Sequence, residues 1–189
     1  KNKPTPISFY GVSKFTGELY TKLIHEHSGI PYTIFRLFAT YGSGQDLENE
    51  HQGILSIYLN QALNKKKSAT IKITGHKDRV RELVHVDDVV EAFMRAMNSE
   101  KDLRGKIIHV GCGVSNSVNE IIAATTKAWG REIPVEYIDM RPGEVHFLAY
   151  LDPKPMKEHL DYELQWKLHE GLVETIKYYE EMNIITDPD

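Results

Sequence analysis

The chain has 189 residues, a formal net charge of −4 and hydrophobic residues at 41% of its positions. That length fits one domain, or one large domain and part of another, and the composition excludes wholesale disorder. The acidic balance excludes the basic footprint of nucleic-acid-binding proteins, and a single cysteine excludes a disulfide framework. With no signal peptide and no long apolar run, we expect a cytoplasmic protein that binds neither nucleic acid nor membrane.

Predicted helices and strands alternate along the chain, which is the pattern of an α/β fold. Their predicted order is a helix over 9–27, a strand over 32–38, a loop over 39–53, a helix over 54–64, strands over 70–74 and 82–86, a helix ending near Met97, a strand over 106–110, a helix from Ser117 to Trp129, a strand over 135–138, a turn over 141–144, and helices over 154–160 and 169–182. Asp87 or Asp88 is predicted to cap the helix ending near Met97. Ser117 and Glu120 have the spacing of a capping box. Because no clear linker interrupts this order, we predict one interwoven unit over residues 1–189.

The first predicted helix carries a tyrosine and a lysine that could do chemistry. Tyr10 and Lys14 are four residues apart, so their side chains share one helix face. An ammonium group nearby stabilises a phenolate, and such a tyrosine can exchange a proton with a substrate hydroxyl. The spacing alone is weak evidence, since both residue types are common on solvated helix surfaces.

Two other patterns are better explained by structural roles. Gly111-Cys112-Gly113 follows a predicted strand and imitates part of a dinucleotide-binding turn, but Asn116 stands where the third glycine is needed. We therefore predict an ordinary strand-to-helix turn there. The nine histidines form no H-E-x-x-H pattern and no cluster with cysteine, so no metal site is predicted.

Further blocks follow the Tyr/Lys pair in a fixed order. They are FRLFATYG over 35–42, ITGHKDRVRELVHVDDV over 73–89, HVGCG over 109–113, RPGE over 141–144 and EGLVETI over 170–176. In this order and spacing they resemble the extended short-chain dehydrogenase/reductases, and within them the NAD-dependent epimerase/dehydratase family of UDP-glucose 4-epimerase-like enzymes. The resemblance runs from about Pro6 to Tyr179 and matches only the C-terminal part of that family.

The resemblance implies a partial Rossmann-like sheet with a small mixed α/β substrate-binding lobe. It implies that Tyr10 is the general acid/base, and that Lys14 supports it and hydrogen-bonds the ribose of the nicotinamide cofactor. Arg81 and Arg141 match two arginines that hold the diphosphate of a nucleotide-diphosphate sugar. Guanidinium groups suit that role because they are planar, always charged and able to make paired hydrogen bonds.

The glycine-rich turn that the resemblance implies for NAD or NADP is not found before Tyr10. We therefore expect the N-terminal cofactor half to be absent, and the cofactor of the complete enzyme not to be bound by this chain alone. Two hypotheses follow. The chain is the C-terminal portion of an NAD(P)-dependent nucleotide-sugar epimerase or dehydratase, or it is an inactive nucleotide-sugar-binding or assembly module that needs a separate N-terminal half.

An apolar strip on the first predicted helix indicates a protein partner. Its residues are Phe15, Leu19, Tyr20 and Leu23. Left uncovered, such a strip favours association, so we predict a homodimer or a complex with the complementary half.

Departures from the family pattern concern substrate placement: Ala39 stands where an asparagine is usual, and Ser43-Gly44-Gln45 lacks an arginine found in the family.

Overall fold

A computed structural model describes residues 4–49, 53–63, 70–132, 134–139 and 153–182. The elements in chain order are helix α1 (Phe9–Ser28), strands β1 (Ile34–Leu37) and β2 (Ala39–Tyr41), helix α2 (Ile54–Leu63), strands β3 (Ile71–Thr74), β4 (Val80–Arg81) and β5 (Leu83–His85), helix α3 (Val86–Met97), strands β6 (Ile107–Val110) and β7 (Asn116–Ser117), helix α4 (Val118–Trp129), strand β8 (Val135–Ile138), and helices α5 (Lys154–Leu160) and α6 (Leu168–Glu181).

Three strand pairs are parallel and join distant parts of the chain. β1 pairs with β6, β2 with β5, and β3 with β8. Parallel neighbours need a crossover between them, and helices usually supply it, as they do here. β4 and β7 form an antiparallel pair. Within the described residues the architecture is therefore α/β, as predicted, with short parallel pairs of the kind found in Rossmann-like sheets.

Local signals predicted most element boundaries within one or two residues. The capping box is confirmed, because the Ser117 hydroxyl accepts from the backbone N–H of Glu120 while the Glu120 side chain accepts from that of Ser117. Two predictions were wrong. The predicted loop over 39–53 begins with a strand, and His85 caps α3 by accepting from the backbone N–H of Asp87 at 3.3 Å. The predicted turn at 141–144 lies outside the described residues.

Strand β5 is buried on both faces. Successive side chains of a strand point to opposite sides, so Leu83 packs into one hydrophobic cluster and Val84 into another. The first cluster gathers side chains of β2, β3, α2, α4 and α6. The second gathers side chains of α3, β6, α5 and the segment that follows α5. β5 thus lies between the two clusters and contributes a side chain to each.

Polar contacts hold helix α6 against strand β5. The His85 ring is buried; its Nε2 lies 3.1 Å from Glu174 Oε2 on α6, and the ring stacks on Trp166 at a centroid distance of 4.2 Å. The hydroxyl of Ser43, in the loop after β2, donates to the other Glu174 oxygen. These contacts join three segments that are far apart in sequence, and they satisfy a buried ring that would otherwise destabilise the fold.

The helices in the described ranges are all too short or too polar to cross a membrane. No group of three or more His, Cys, Asp or Glu side chains that could hold a metal ion is found among the described residues.

Replacing glycine by alanine should have opposite effects on stability at two helical positions. A Cβ added to Gly171 on α6 would lie 2.9 Å from His85 Cδ2 and closer still to the hydroxyl of Tyr41, whereas one added to Gly17 on α1 meets nothing within 4 Å. Gly171→Ala should destabilise the protein by about 1–3 kcal/mol through overpacking. Gly17→Ala should stabilise it by about 0.5–1 kcal/mol, since alanine favours the helix.

Urea denaturation followed by circular dichroism measures both changes, and Gly17→Ala is the matched control. Equal effects of the two substitutions would contradict the close packing of α6 against β5.

Candidate functional site

Helix α1 begins at a local capping signal. The hydroxyl of Ser8 accepts from the backbone N–H of Gly11 at 3.0 Å, and the helix ends at Gly29, whose left-handed φ of 70° suits glycine. None of its residues is buried. One face of the helix borders a groove of about 640 Å³, and β1 forms the opposite side of that groove.

The structure brings Tyr10 and Lys14 together on this groove. Lys14 Nζ lies 5.2 Å from the centroid of the Tyr10 ring, and both side chains line the groove. Tyr10 is 72% exposed, so its hydroxyl is open to a ligand. An accessible phenol beside an ammonium group is an arrangement that can exchange a proton with a substrate hydroxyl. The predicted shared face is therefore present.

An ion pair beyond Lys14 fixes the helix to the sheet, and neither partner is among the predicted site residues. Glu18, four residues after Lys14, accepts from Arg36 Nε and Nη2 of β1, at 2.7 Å each. The hydrogen bond from Arg36 lowers the pKa of the Glu18 carboxyl and keeps it charged. Arg36 Nη1 also lies 3.4 Å from Nε2 of His109 on β6, whose pKa is lowered by burial first and by the Arg36 charge second. The Tyr/Lys helix is thus attached to two paired strands.

A second candidate site surrounds Arg81. This half-buried residue ends β4, opposite Asn116 of β7, and its Nη1 donates to the Val80 carbonyl at 2.8 Å. It lines a cavity of about 200 Å³. The other lining residues come from α2, β3 and the segment before β4: Ile54, Ile57, Tyr58, Lys72, Thr74 and Arg79. Cationic side chains on this cavity make it suitable for an anion.

Arg79 and Lys72 were not among the predicted site residues. The spacing of Arg79 and Arg81 could have predicted that both line one site, because residues two apart on an extended segment share a face. Burial of Arg79 depends on tertiary contacts that the spacing alone does not report. Arg141, the other predicted diphosphate ligand, lies outside the described residues.

The turn after β6 leads into β7 and then α4, and it is held by a side chain of the segment between β4 and β5. The buried carboxylate of Glu82 accepts from the backbone N–H of Gly113 at 2.8 Å. Cys112 is half-buried, and burial raises the pKa of its thiol. A raised pKa disfavours the reactive thiolate.

The loop after β2, where the sequence departs from the family pattern, is held by the C-terminal helix. Tyr179 donates through its hydroxyl to the Gln45 carbonyl at 2.6 Å. Gly42 has a φ of 139°, and a Cβ there would lie 2.5 Å from Val86 Cγ1. Glycine is therefore required at this close approach between the loop and α3.

Solved structures and curated proteins resemble the chain over nearly its whole length. A UDP-glucose 4-epimerase structure from Thermotoga maritima, with UDP-glucose, superposes with a TM-score of 0.83 at 31% identity, over 95% of this chain and 56% of that one. A UDP-glucose 4-epimerase structure from Thermus thermophilus, in complex with NAD, gives a TM-score of 0.80 at 27% identity, over 94% and 55%. The predicted partial Rossmann-like α/β fold is thereby confirmed.

A relative from Methanocaldococcus jannaschii, named for UDP-glucose 4-epimerase, is 33% identical over 184 residues, which are 97% of this chain and 57% of the relative. The chain thus spans about half the length of the relatives that it matches. The family model described as "NAD dependent epimerase/dehydratase family" matches residues 1–111. The chain therefore belongs to the NAD-dependent epimerase/dehydratase family.

Proposed function

We propose that the chain is the C-terminal portion of an NAD(P)-dependent nucleotide-sugar epimerase or dehydratase. The observation that carries this proposal is the pairing of Tyr10 with Lys14 on an open groove. The groove, at about 640 Å³, lies within the roughly 300–1,000 Å³ range of small-molecule sites. Family membership and the UDP-sugars named with related structures support nucleotide-diphosphate sugars as the substrate class.

In this proposal Tyr10 is the catalytic acid/base. In its phenolate form, which the Lys14 ammonium stabilises, the Tyr10 oxygen takes the proton of a sugar hydroxyl, and the resulting phenol later returns a proton to the same sugar oxygen. Lys14 would hold the ribose of a bound NAD or NADP, and that cofactor would supply the hydride acceptor and donor. The residues present suit this role, because Tyr10 and Lys14 both line the groove and both are exposed to a ligand there.

In this proposal the ion pair of Glu18 with Arg36 keeps Tyr10 in position relative to the sheet. It attaches α1 to β1 one turn beyond Lys14. Because proton transfer requires hydrogen-bond distances, this attachment limits how far Tyr10 can move relative to a substrate held by the sheet. Arg81 and Arg141 hold the diphosphate in this proposal.

The second candidate is a catalytically inactive nucleotide-sugar-binding or assembly module that needs a separate N-terminal half. The observation favouring it is the exposed apolar surface of α1: Phe9 is 98% exposed and Leu19, Tyr20 and Leu23 are each at least 48% exposed. Apolar surface of this kind marks interaction sites. A second copy of the chain, or the complementary half, would cover it.

Diphosphate binding can be tested by calorimetric titration of the chain with UDP-glucose, with NAD as a parallel titrant. We expect UDP-glucose to bind and NAD not to bind. The double change Arg81→Ala/Arg141→Ala should weaken UDP-glucose binding about 10- to 100-fold or more, because hydrogen bonds to charged groups are lost.

Arg104→Ala is the control, since Arg104 is an exposed arginine that pairs with Asp102; it should leave binding unchanged. Turnover of UDP-glucose with added NAD and no partner would overturn the inactive-module hypothesis. Undiminished binding by the double variant would overturn the role given to the arginines.

The acid/base role can be tested after mixing the chain with the separately expressed N-terminal part of a relative. If the mixture interconverts UDP-glucose and UDP-galactose, Tyr10→Phe should lower the rate about 10²- to 10⁴-fold, the usual contribution of general acid–base catalysis. UDP-glucose affinity should stay the same. Tyr20→Phe, on an exposed tyrosine of the same helix, is the matched control, and equal losses in both variants would refute the assignment.

Association through α1 can be tested by light scattering at tens of micromolar chain. We expect a homodimer, because burying the apolar strip releases ordered water. Leu19→Glu/Leu23→Glu should give a monomer by placing charges in the interface. Met97→Glu, at a 78% exposed position on α3, should leave the dimer intact, and a monomeric unmodified chain would count against this interface.

A further inference from the structure

The imidazole of His109 on β6 lies behind the ion pair that attaches α1 to β1. We infer that His109 is a positioning residue: its neutral ring holds Arg36 toward Glu18, and protonation of the ring weakens the attachment of α1. The inference rests on the proposed function, because α1 carries the acid/base Tyr10, and it adds a regulation of that site by pH. The evidence is the geometry of three side chains on neighbouring elements.

Strand register places His109 beside Arg36. The two residues are direct partners in the parallel pairing of β6 with β1, and side chains at partnered positions lie on the same face of a sheet. On β6 the neighbours Ile108 and Val110 are buried on the other face, in the cluster that α5 also joins. Arg36 reaches Glu18 of α1, so His109 lies on the α1 side of the sheet.

The guanidinium of Arg36 is shared between its two partners. Its Nε and Nη2 donate to the two carboxylate oxygens of Glu18 at 2.7 Å each, and its remaining nitrogen, Nη1, lies 3.4 Å from Nε2 of His109. An arginine has only donors, so Nε2 accepts, which requires a neutral ring with its proton on Nδ1. Both nitrogens of a protonated ring are donors. Protonation would therefore replace a hydrogen bond by two facing N–H donors and two like charges.

The charges around the His109 ring favour its neutral form. The Arg36 guanidinium on β1 is a like charge, Glu18 on α1 is the opposite charge, and Lys22 on α1 acts on Glu18. α5 packs against the opposite face of β6 through apolar side chains. Burial first and the Arg36 charge second lower the pKa of His109, and the Glu18 charge opposes them. The folded chain therefore resists protonation of this ring.

This lowered pKa sets the direction of the pH effect. In the unfolded chain a histidine titrates near its ordinary pKa of about 6.5, so below that pH the unfolded state binds more protons at His109 than the folded state does. The stability that neutral His109 contributes is complete above about pH 6.5 and is lost as the pH falls through the lower native pKa. The pKa of Glu18 is lowered too, so its carboxylate stays charged in this range.

Helix α1 is sensitive to such a change because none of its residues is buried. A helix without buried side chains gains little from apolar burial, so its polar contacts to the sheet matter more. Glu18 lies eight residues beyond Tyr10 on the same helix. A weaker ion pair of Glu18 with Arg36 would let Tyr10 move relative to a substrate held by the sheet, and proton transfer needs hydrogen-bond distances.

Amide hydrogen exchange of the chain, expressed as protection relative to unstructured peptide at the same pH, tests the inference. From about pH 7.5 to about pH 5 we expect protection of α1 to fall about 3- to 10-fold, as for the loss of one hydrogen bond, while protection of α4 changes less. His109→Gln keeps an acceptor and does not titrate, so it should remove most of this pH dependence. His169→Gln, at an exposed histidine of α6, is the matched control and should leave it unchanged.

A nitrogen NMR titration of the unmodified chain keeps the test available if His109→Gln does not fold. The His109 ring should carry its proton on Nδ1 at neutral pH, and its protonation should coincide with the loss of α1 protection. A merely structural role would lower α1 protection in His109→Gln equally at every pH. That result, a ring protonated on Nε2 at neutral pH, or full pH dependence of α1 protection in His109→Gln would overturn the inference.

The link to Tyr10 can be measured in the mixture with the N-terminal part of a relative. At about pH 5, His109→Gln should retain a larger fraction of its neutral-pH rate than the unmodified chain, with the same UDP-glucose affinity. Equal fractions would overturn the link to the acid/base. If Tyr10→Phe keeps the full rate, the proposed function fails, and hydrogen exchange still decides whether His109 controls the attachment of α1.

Discussion

All three residues of β5 are buried, and the packing around this short strand determines where most other elements lie. Leu83 and Val84 project into opposite clusters, so neither face of the strand can be left to solvent. β2 covers one edge through parallel pairing, and α6 approaches so closely that a Cβ at position 171 would clash with Tyr41 and His85. β5 has only three residues, so each of them contacts segments from distant parts of the chain.

A buried carboxyl group beside β5 must also be satisfied by hydrogen-bond donors. Asp88, on the first turn of α3, accepts hydrogen bonds from the Tyr162 hydroxyl at 2.5 Å and from the backbone N–H groups of Gln165 and Trp166 at 2.8 and 3.2 Å. A buried carboxylate needs several donors of this kind. The segment that enters α6 is therefore tied to α3, and α6 in turn brings Glu174 to His85. Polar satisfaction and apolar burial thus favour the same arrangement.

The two candidate sites differ in how they are built. The Arg81 cavity is enclosed by α2, β3 and the strand segment before β5, and its shape depends on packing within this chain. The Tyr10 groove lies on a helix with no buried residue, and the ion pair of Glu18 with Arg36 joins this helix to β1. The proposed diphosphate site around Arg81 therefore takes its walls from this chain. The proposed acid/base, Tyr10, stands on an open helix face, so it gains a shielded environment only when another surface covers that face.

Local chemistry made part of this protein readable from its sequence. Tyr10 and Lys14 meet because helical periodicity places them on one face, and Ser117 with Glu120 forms its capping box through contacts within one turn. The ordered blocks pointed to the NAD-dependent epimerase/dehydratase family, to which the chain belongs. By contrast, the pairing of β2 with β5 and the burial of Arg79 depend on residues far apart in the chain. The sequence by itself determined the helix faces, the Ser117/Glu120 capping box and the family, because those rest on spacing. The tertiary structure alone decided which charged side chains share a cavity, because that depends on which distant strands and helices pack together.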